Sequence, residues 1–357
     1  MEYKTILAIN PGSTSTKLAV FRNDQKLFDA SLSHSAEELG QFERINDQRD
    51  FRTRIVMDFL EENDFDVHEL TAVVGRGGLL PPMESGTYNV NNAMLDYLRN
   101  TNWEHASNLG AMIADAIARP MDIPAFIVDP VVVDEMDDLA RVTGLPEIKR
   151  VSIFHALNQK AAAREAAEKI GKAYTDCNLI VAHMGGGISI GAHRKGRVMD
   201  VNNALNGDGP FSPERAGSVP TWPLIEWVLS GKLSEGEMKK RITGQGGVVA
   251  HLGTNDMREV EKRVDEKDPE AEFILRAMAY AIAKQIGSMA TALSGDLDAI
   301  VMTGGIAYDK RLVGWIRERI EFLAPIIVLP GEDEMRSLVL GGLRVLNGEE
   351  SAMEWSI

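Results

Sequence analysis

Four hydrogen-bond donors stand close together near the start of the chain: Asn10, Ser13, Ser15 and Lys17. They lie between two apolar runs that predict β-strands, so the segment that carries them is expected to be a turn. Gly12 lets the backbone approach a ligand closely, and a donor-rich turn that ends in a lysine suits a phosphate group. It is not a Walker A loop, because the G-x-x-x-x-G-K-[ST] spacing is absent and a strand follows. An ordinary hairpin with a polar tip is the alternative.

Glycine-rich turns follow predicted buried strands at two later places, within residues 179–193 and 299–307. The first of them repeats the strand–turn–strand arrangement of the opening segment, about 170 residues further along the chain. This spacing fits a duplicated domain, and glycine turns in two similar halves suit a nucleotide held between them. The glycines of these two turns are Gly185, Gly186, Gly187, Gly304 and Gly305.

The opening segment matches the N-x-G-S-[ST]-[ST]-x-K signature of the acetate/butyrate kinase family at every fixed position, and the chain resembles this family over nearly its whole length. Similar segments follow in the family's order: Val74–Gly78, His105–Leu109, Val128–Pro130, Ile153–His155, His183–Gly187, Pro213–Gly217, Asp256–Arg258, Thr303–Ile306 and Pro330–Met335. Acetate kinases carry Asn where this chain has Gly186, and G-I-G-E-N where it has Gly305-Ile306-Ala307-Tyr308-Asp309. These departures resemble the butyrate kinase branch.

The resemblance implies an α/β fold of two duplicated actin-like, RNase H-like (ASKHA) domains with a nucleotide cleft between them. The N-terminal acetokinase-type domain would comprise residues 1–130 plus 335–357, and the C-terminal nucleotide-binding domain residues 131–334. The implied reaction is reversible phosphoryl transfer from ATP to the carboxylate of a short-chain fatty acid. Butanoate plus ATP giving butanoyl phosphate plus ADP is the version expected, with branched acids such as isobutyrate as variants.

Site residues are also implied by the resemblance. Catalytic roles fall to Arg76, Asp129, His155 and Arg215, and substrate binding to Arg76 and His105. The metal ion would be Mg²⁺, held by Asn10 and by one acidic residue of the cluster Glu332-Asp333-Glu334, for which we choose Glu334. The residues expected at ATP or ADP are Asn10, Ser13, Ser15, Lys17, His183, Gly185, Gly186, Gly187, Asp256, Arg258, Gly304 and Gly305.

Each assignment has an ordinary structural alternative. These are a solvated arginine for Arg76, a loop ion pair for Arg215, a core contact or cap for His155, a helix cap for His105, a turn cap for Asp129, helix-dipole pairing for the acidic cluster, and a surface charge pair for Asp256 and Arg258.

The chemistry of the acceptor separates the candidate reactions. A carboxylate is already ionised at pH 7 and needs no base, whereas the alcohol of a sugar or polyol must lose a proton to a placed carboxylate. The only candidate base in a motif is Asp129. A sugar or polyol kinase on this scaffold, an acetate or propionate kinase, and a non-catalytic actin-like regulator are therefore the alternatives to a butyrate kinase.

Composition limits the partners. The chain has 357 residues, 44% of them hydrophobic, and a formal net charge of −15. Such a charge argues against nucleic acid and anionic membranes, and a single cysteine fits a reducing cytoplasm. No apolar run reaches the ~20 residues that span a bilayer. The resemblance adds a homo-oligomer, a dimer or higher.

Periodicity and turn residues predict alternating elements. Strands are expected near 4–10, 16–21, 26–32, 71–75, 86–90, 124–128, 178–184, 187–193, 196–201, 298–303 and 325–329. Helices are expected near 47–63, 91–100, 104–119, 154–170, 223–230, 234–241, 269–294, 309–323 and 334–347. A loop-rich stretch from 202 to 223 is expected to be shaped for function.

Overall fold

The computed structural model describes residues 3–356. The strands within them are β1 (Thr5–Pro11), β2 (Ser15–Arg22), β3 (Gln25–Ser33), β4 (Ala72–Arg76), β5 (Thr87–Asn89), β6 (Ala125–Val128), β7 (Asn178–Met184), β8 (Ile188–Arg194), β9 (Arg197–Val201), β10 (Ala299–Gly304), β11 (Ile326–Pro330) and β12 (Met353–Glu354). The α-helices there are α1 (Ala36–Leu39), α2 (Arg49–Glu62), α3 (Asn92–Asn100), α4 (Asn108–Ala118), α5 (Asp138–Arg141), α6 (Ala156–Lys169), α7 (Thr221–Leu229), α8 (Glu235–Thr243), α9 (Val248–Leu252), α10 (Met257–Asp265), α11 (Pro269–Ala292), α12 (Lys310–Ile320) and α13 (Glu334–Leu346).

Two compact units divide the chain. The first comprises Met1–Val133 and Asp333–Ile357, and the second comprises Asp134–Glu332. The functions expected of the two domains stay predictions.

In the described part of the first unit, the sheet has the strand order β12-β5-β6-β4-β1-β2-β3. Strands β1, β2 and β3 pair antiparallel through two hairpins, whereas β4 runs parallel to β1 and β6 parallel to β4. Every residue of β1 is buried, as expected of an apolar strand covered on both faces. Helix α4 packs on β4, β6 and β1, and α13 also packs on these three strands.

The contact between β4 and α4 is made by backbone atoms. A Cβ atom placed on Gly75 would lie 2.1 Å from the carbonyl oxygen of Gly110, and one on Gly110 would lie 2.1 Å from that of Arg76. Neither position accommodates a side chain, so the helix backbone lies directly against the strand. The glycines on either side of Arg76, which are Gly75, Gly77 and Gly78, permit close packing against α4 and Pro130.

The described sheet of the second unit has the order β11-β10-β7-β8-β9. It repeats the pattern of the first unit, with an antiparallel meander over β7, β8 and β9, a strand β10 parallel to β7, and a further parallel strand β11. Alternate residues of β7 and β10 face opposite sides of the sheet. Leu179 and Val181 join a core with the alanines of α6, whereas Ile180 and Ala182 join a core with α11. The same topology in both units agrees with a duplicated domain.

Within residues 3–356, none of the helices has both the length and the apolar character required to cross a bilayer.

Candidate active site

The turn between β1 and β2 carries the first set of predicted residues. Asn10 and Lys17 are direct cross-strand partners at the end of the hairpin, and the turn closes through a 2.8 Å hydrogen bond from the Gly12 amide to the Ser15 carbonyl. Ser13 and Lys17 are exposed, while Asn10 is buried. The turn therefore places the hydroxyl of Ser13 and the ammonium group of Lys17 in solvent, where an anion can reach them.

A buried arginine supports this turn from below. Arg52 of α2 is 1% exposed, and its guanidinium donates to the carbonyl oxygens of Gly12 at 2.8 Å, Ser15 at 2.9 Å and Ser13 at 3.2 Å. The remaining donors reach the side-chain oxygen of Gln48. Among the described residues, every hydrogen-bond partner of Arg52 is uncharged, so its positive charge lies beneath the turn without a bonded carboxylate there.

Burial lowers the pKa of Arg52 to about 10, and its charge contributes to lowering the pKa of the nearby His34, for which desolvation is the larger cause. Sequence reasoning misses Arg52. A signal exists, because Arg52 is four residues before Val56 and eight before Leu60, the other two buried residues of α2. An arginine in a buried helical stripe needs internal acceptors.

Arg76, Glu334 and Asn10 form a polar cluster in the first unit. Nη1 of Arg76 donates to Oε1 of Glu334 at 2.6 Å, and Nδ2 of Asn10 donates to Oε2 of the same carboxylate at 2.6 Å. Arg76 ends β4, Asn10 lies in the neighbouring strand β1, and Glu334 begins α13. The fold thus brings together three residues that sequence reasoning assigns to substrate, nucleotide and metal.

His105 lies before α4 and accepts at Nδ1 from the Ser107 amide at 3.2 Å, with the Ser107 hydroxyl at 2.8 Å. Desolvation and the positive charge of Arg76 lower the pKa of His105 below its usual value. The ring is therefore neutral at pH 7, with its proton on Nε2. It is a hydrogen-bond donor near Arg76 and not a second cation.

Asp129 follows β6 in an unusual conformation, because it is a buried non-glycine residue with φ of +38°. Its Oδ1 accepts from the Ser85 hydroxyl at 2.7 Å and from the Gly86 amide at 2.8 Å, and its own amide donates to the Gly86 carbonyl at 3.0 Å. These bonds tie Asp129 to the turn at residues 85–86. The cost of the strained backbone, on the order of 1–3 kcal/mol, is offset by this bonding.

In the second unit, two predicted histidines lie against one another. The rings of His155 and His183 stack with centroids 4.1 Å apart and an interplanar angle of 25°. His155 is the residue before α6 and His183 is near the end of β7. Nδ1 of His155 lies 2.9 Å from the Ser189 hydroxyl.

His183 is 2% exposed, and this burial lowers its pKa to about 4. Its Nε2 lies 3.3 Å from a carboxylate oxygen of Glu332, which also accepts from Asn158 at 2.9 Å. Glu332 is half exposed, so water screens its charge and desolvation dominates the pKa of the ring. Within residues 3–356, Nδ1 of His183 and Oδ1 of Asn158 are buried without a hydrogen-bond partner, which is uncommon in folded proteins.

The glycine turn after His183 is shaped around Arg215. A Cβ atom on Gly187 would lie 1.9 Å from Nη1 of Arg215, whereas one on Gly186 would meet nothing closer than 3.7 Å. Arg215 donates from Nη1 to the Ala204 carbonyl at 2.6 Å, and burial lowers its pKa. Its Nε is buried and has no hydrogen-bond partner among the described residues.

The loop that carries Arg215 is anchored to the same turn. The Ser212 hydroxyl donates to the Gly186 carbonyl at 2.6 Å, and the Ser212 amide donates to the Arg215 carbonyl at 3.0 Å. Gly247 lies so close that a Cβ there would be 1.8 Å from the Ser212 carbonyl oxygen. These contacts anchor residues 212–215, which lie within a stretch, 202–220, that contains no regular helix or strand.

The remaining predicted nucleotide residues lie elsewhere on the second unit. Gly304 has φ of +87°, and a Cβ there would lie 2.4 Å from the Met184 carbonyl, whereas the space beside Gly305 is open. Asp256 caps α10 and pairs with Arg258, whose side chain is 89% exposed. Asp256 and Arg258 thus form the surface charge pair that is the structural alternative for them. Their role in nucleotide binding stays a prediction.

The donor set of the first unit fits a sparse magnesium site. Asn10 supplies an amide oxygen and Glu334 a carboxylate, and these two side chains are in contact. The described residues contain no group of three or more His, Cys, Asp or Glu that could enclose an ion. Mg²⁺ takes one or two carboxylates and completes its shell with water and phosphate oxygens, and its binding by Asn10 and Glu334 stays a prediction.

Residues 147–323 match the model of the Acetokinase family. This match covers just under half of the chain, so the chain is similar to the family over that segment. The matched segment contains His155, His183, the glycine turn and Arg215.

Solved structures are similar to this chain in fold. Acetate kinase from Porphyromonas gingivalis superposes with a TM-score of 0.78 at 18% identity, over 96% of this chain and all of that one. A propionate kinase from Francisella tularensis gives 0.75 at 20% identity, over 95% and 98%. A putative N-acetylmannosamine kinase from Listeria monocytogenes gives 0.51 at 15% identity, over 97% and 100%. The ASKHA fold expected from the sequence is thereby confirmed.

Proposed function

We propose that this chain is an acetokinase that catalyses reversible phosphoryl transfer between ATP and butanoate, which forms butanoyl phosphate and ADP. The observation that carries the proposal is the convergence of Arg215, His155 and His183 on the glycine turn at 185–187. Both histidines and Arg215 are partly or wholly buried, and the turn lets backbone amides and side-chain donors approach the same anion. Such an arrangement stabilises negative charge that develops on a transferring phosphoryl group.

The reaction balances without a proton. One carboxylate oxygen of butanoate forms a bond to the γ-phosphorus, and the bond from that phosphorus to the β–γ bridging oxygen breaks, which leaves ADP. Arg76 would bind the carboxylate, because its planar guanidinium matches two oxygens at once. Asn10 and Glu334 would hold Mg²⁺, which neutralises phosphate charge when bound.

The position of Asp129 supports a carboxylate rather than an alcohol as acceptor. Its carboxylate accepts hydrogen bonds from Ser85 and Gly86 and fixes their turn. An alcohol acceptor would require a base with access to the hydroxyl proton. A carboxylate acceptor needs no such base. We therefore assign Asp129 a structural role, in which it fixes the turn at residues 85–86 next to the sheet that also carries Arg76.

The preference for a four-carbon acid is supported by the departures at Gly186 and at residues 307–309 and by apolar residues beyond Arg76. Leu80 and Met83 are buried there, and Val132 is half buried against the same core. Each additional buried methylene favours binding by about 0.8 kcal/mol, so butanoate would gain on the order of tenfold over acetate.

Acyl-hydroxamate formation tests the proposal. Purified protein would be incubated with ATP, Mg²⁺, hydroxylamine and one of acetate, propionate, butanoate, isobutyrate, valerate or glycerol. We expect a maximum at four carbons, with activity abolished in Arg215→Met and retained in Arg119→Met, whose arginine pairs with Asp115 on the surface. A maximum at acetate or propionate would overturn butanoate and keep the reaction class. ADP release driven by glycerol would overturn the carboxylate acceptor.

A further inference from the structure

A buried polar chain runs from His155 into the interior of the second unit. It passes through Ser189 and Gln159 to His193 and ends at Tyr174. Ser189, Gln159 and His193 are fully buried, and no motif in the sequence draws attention to them. Each contact in such a chain must join one donor to one acceptor, so the positions of the hydrogen atoms follow from the geometry.

The orientation of the Gln159 amide is fixed by a backbone group. Its Nε2 lies 3.0 Å from the Ser189 carbonyl oxygen, which only accepts hydrogen bonds. The NH₂ group must therefore face Ser189, and its second hydrogen reaches the Ser189 hydroxyl oxygen at 2.7 Å. Oε1 of Gln159 consequently faces His193.

The far end of the chain agrees with this orientation. Nε2 of His193 lies 2.9 Å from Oε1 of Gln159, so it carries the proton and donates. Burial, together with the charges of Lys160 and Arg164, holds the pKa of His193 well below its usual range, so the ring is neutral. Nδ1 of His193 is then an acceptor, and the Tyr174 hydroxyl at 2.8 Å donates to it.

The near end determines the state of His155. The Ser189 hydroxyl oxygen accepts from Gln159 and, at 3.5 Å, from the backbone amide of His155. Both of its lone pairs are then occupied, and its one proton is directed to Nδ1 of His155 at 2.9 Å. A neutral histidine that accepts at Nδ1 carries its own proton on Nε2.

We propose that Gln159 and Ser189 are positioning residues that hold His155 as the tautomer protonated on Nε2. The tautomer itself is independent of the reaction, but its purpose rests on the proposed function. His155 would then present an N–H donor, without a full charge, to the phosphoryl or acyl oxygen, and the donor would already be in place before the reaction. The hydrogen bond that one ring nitrogen of a histidine makes with the protein commonly determines whether the other nitrogen, which faces the site, carries the proton.

Nitrogen NMR of the protein labelled with ¹⁵N-histidine tests the tautomer directly. The ring nitrogens of His155, assigned through their loss in His155→Asn, are expected to show a protonated Nε2 and an unprotonated Nδ1 at pH 7. This measurement needs no substrate and no destabilised variant. A proton on Nδ1 in the wild-type protein would overturn the proposal, even if kinase activity is found.

Variants test the roles of the two positioning residues. Ser189→Ala is expected to lower kcat about tenfold, less than the loss of a complete oxyanion donor, to leave KM for the acid within about twofold, and to give mixed ¹⁵N signals for His155. Ser189→Thr keeps the hydroxyl and is expected to restore both readouts, and Gln159→Met should resemble Ser189→Ala. Unchanged His155 signals in Ser189→Ala would refute the positioning role. Absence of activity with every acid would instead refute the proposed function and leave the tautomer result intact.

Discussion

The guanidinium of Arg76 lies 2.6 Å from the carboxylate of Glu334, although the two residues are 258 positions apart in the chain. The other oxygen of that carboxylate accepts from Asn10 at 2.6 Å. The arginine side chain of this ion pair is about one-third exposed and the glutamate side chain about one-fifth. The pair therefore contributes little to the free energy of unfolding, and its main effect is to orient the two side chains. It orients the fork of Arg76 at the end of β4, where we place the carboxylate of the substrate.

Replacement of Arg76 by lysine tests that orientation. Arg76→Lys keeps one positive charge but loses the planar pair of donors, so it is expected to raise KM for the acid and to lower kcat/KM on the order of a hundredfold. Initial rates over a range of butanoate concentrations measure both constants. Arg119→Lys is the control, and an Arg76→Lys enzyme with wild-type kcat/KM would remove Arg76 from the site.

Alanine substitutions at two neighbouring glycines test whether Arg215 lies against the glycine turn, because only one of the two positions is in close contact with it. Gly187→Ala would place its Cβ 1.9 Å from Nη1 of Arg215 and must displace that guanidinium, whereas Gly186→Ala meets nothing closer than 3.7 Å. We expect Gly187→Ala to lower kcat on the order of a hundredfold with an unchanged circular dichroism spectrum, and Gly186→Ala to retain most activity. Equal activities of the two variants would contradict the placement of Arg215.

Arg52 is expected to contribute to the stability of the first unit. Arg52→Met removes donors from the carbonyls of Gly12, Ser13 and Ser15, and we expect it to lower the free energy of unfolding by about 2–4 kcal/mol. Arg54→Met, on the exposed side of the same helix, should change it by less than about 0.5 kcal/mol. Urea unfolding at pH 7 makes the comparison, and similar midpoints for both variants would refute this role.

The buried histidines predict a loss of stability in acid. The pKa of His183 is about 4 in the folded chain against 6.5 for a solvated ring. As the pH falls through 6.5, His183 becomes protonated in the unfolded state before it does so in the folded state, so the free energy of unfolding decreases between pH 6.5 and 4. Above pH 6.5 the ring is neutral in both states and has no such effect. His183→Gln should therefore reduce the stability lost between pH 7 and pH 5 by about 2 kcal/mol.

His193, whose pKa is also lowered, acts in the same direction, so the single variant removes only part of the acid sensitivity. His68→Gln is the control, because His68 is exposed. An identical pH dependence of the urea midpoint in wild type and His183→Gln would show that the His183 ring is not buried as described.

Two substitutions of Asp129 test whether its hydrogen bonds, and not its charge, stabilise the fold. Asp129→Asn keeps an acceptor oxygen for Ser85 and Gly86 and tolerates a positive φ, so it is expected to fold with near-wild-type stability. Asp129→Ala loses both bonds and the tolerance for φ of +38°, which should lower the free energy of unfolding by about 2–3 kcal/mol. Thermal or urea unfolding measures this, and an Ala variant as stable as the Asn variant would refute the structural role.

Most regular elements could be predicted from local pattern. The strand β1, whose only polar residues are Thr5 and Asn10, and its hairpin to β2 can be predicted from composition. The predicted helices at 269–294 and 334–347 correspond to α11 and α13 within two residues at either end. Helix α10 was not predicted, because its sequence Met257–Asp265 carries six charged residues and only two buried valines. Such a helix is recognised by the packing of Val260 and Val264 and its Asp256 cap, not by average hydrophobicity.

Sequence reasoning names candidate residues that stand in conspicuous motifs, and it overlooks the residues that support those motifs from within helices. Arg76, His183 and Arg215 stand in glycine-containing segments that attract attention. Arg52 and Gln159 stand inside helices, and their roles depend on which strand turn each helix happens to cover. That information is tertiary, although the burial stripe of α2 gives a partial sign in the case of Arg52.

The backbone contact between Gly75 and Gly110 has a consequence for how this chain can change over time. The distance from β4 to α4 is set there by backbone atoms, which every amino acid shares, and not by side chains that vary. Substitutions elsewhere in the surrounding core would change side-chain volumes without altering the atoms that set this spacing. The position of Arg76 at the end of β4 therefore depends directly on two residues, Gly75 and Gly110, that must stay glycine.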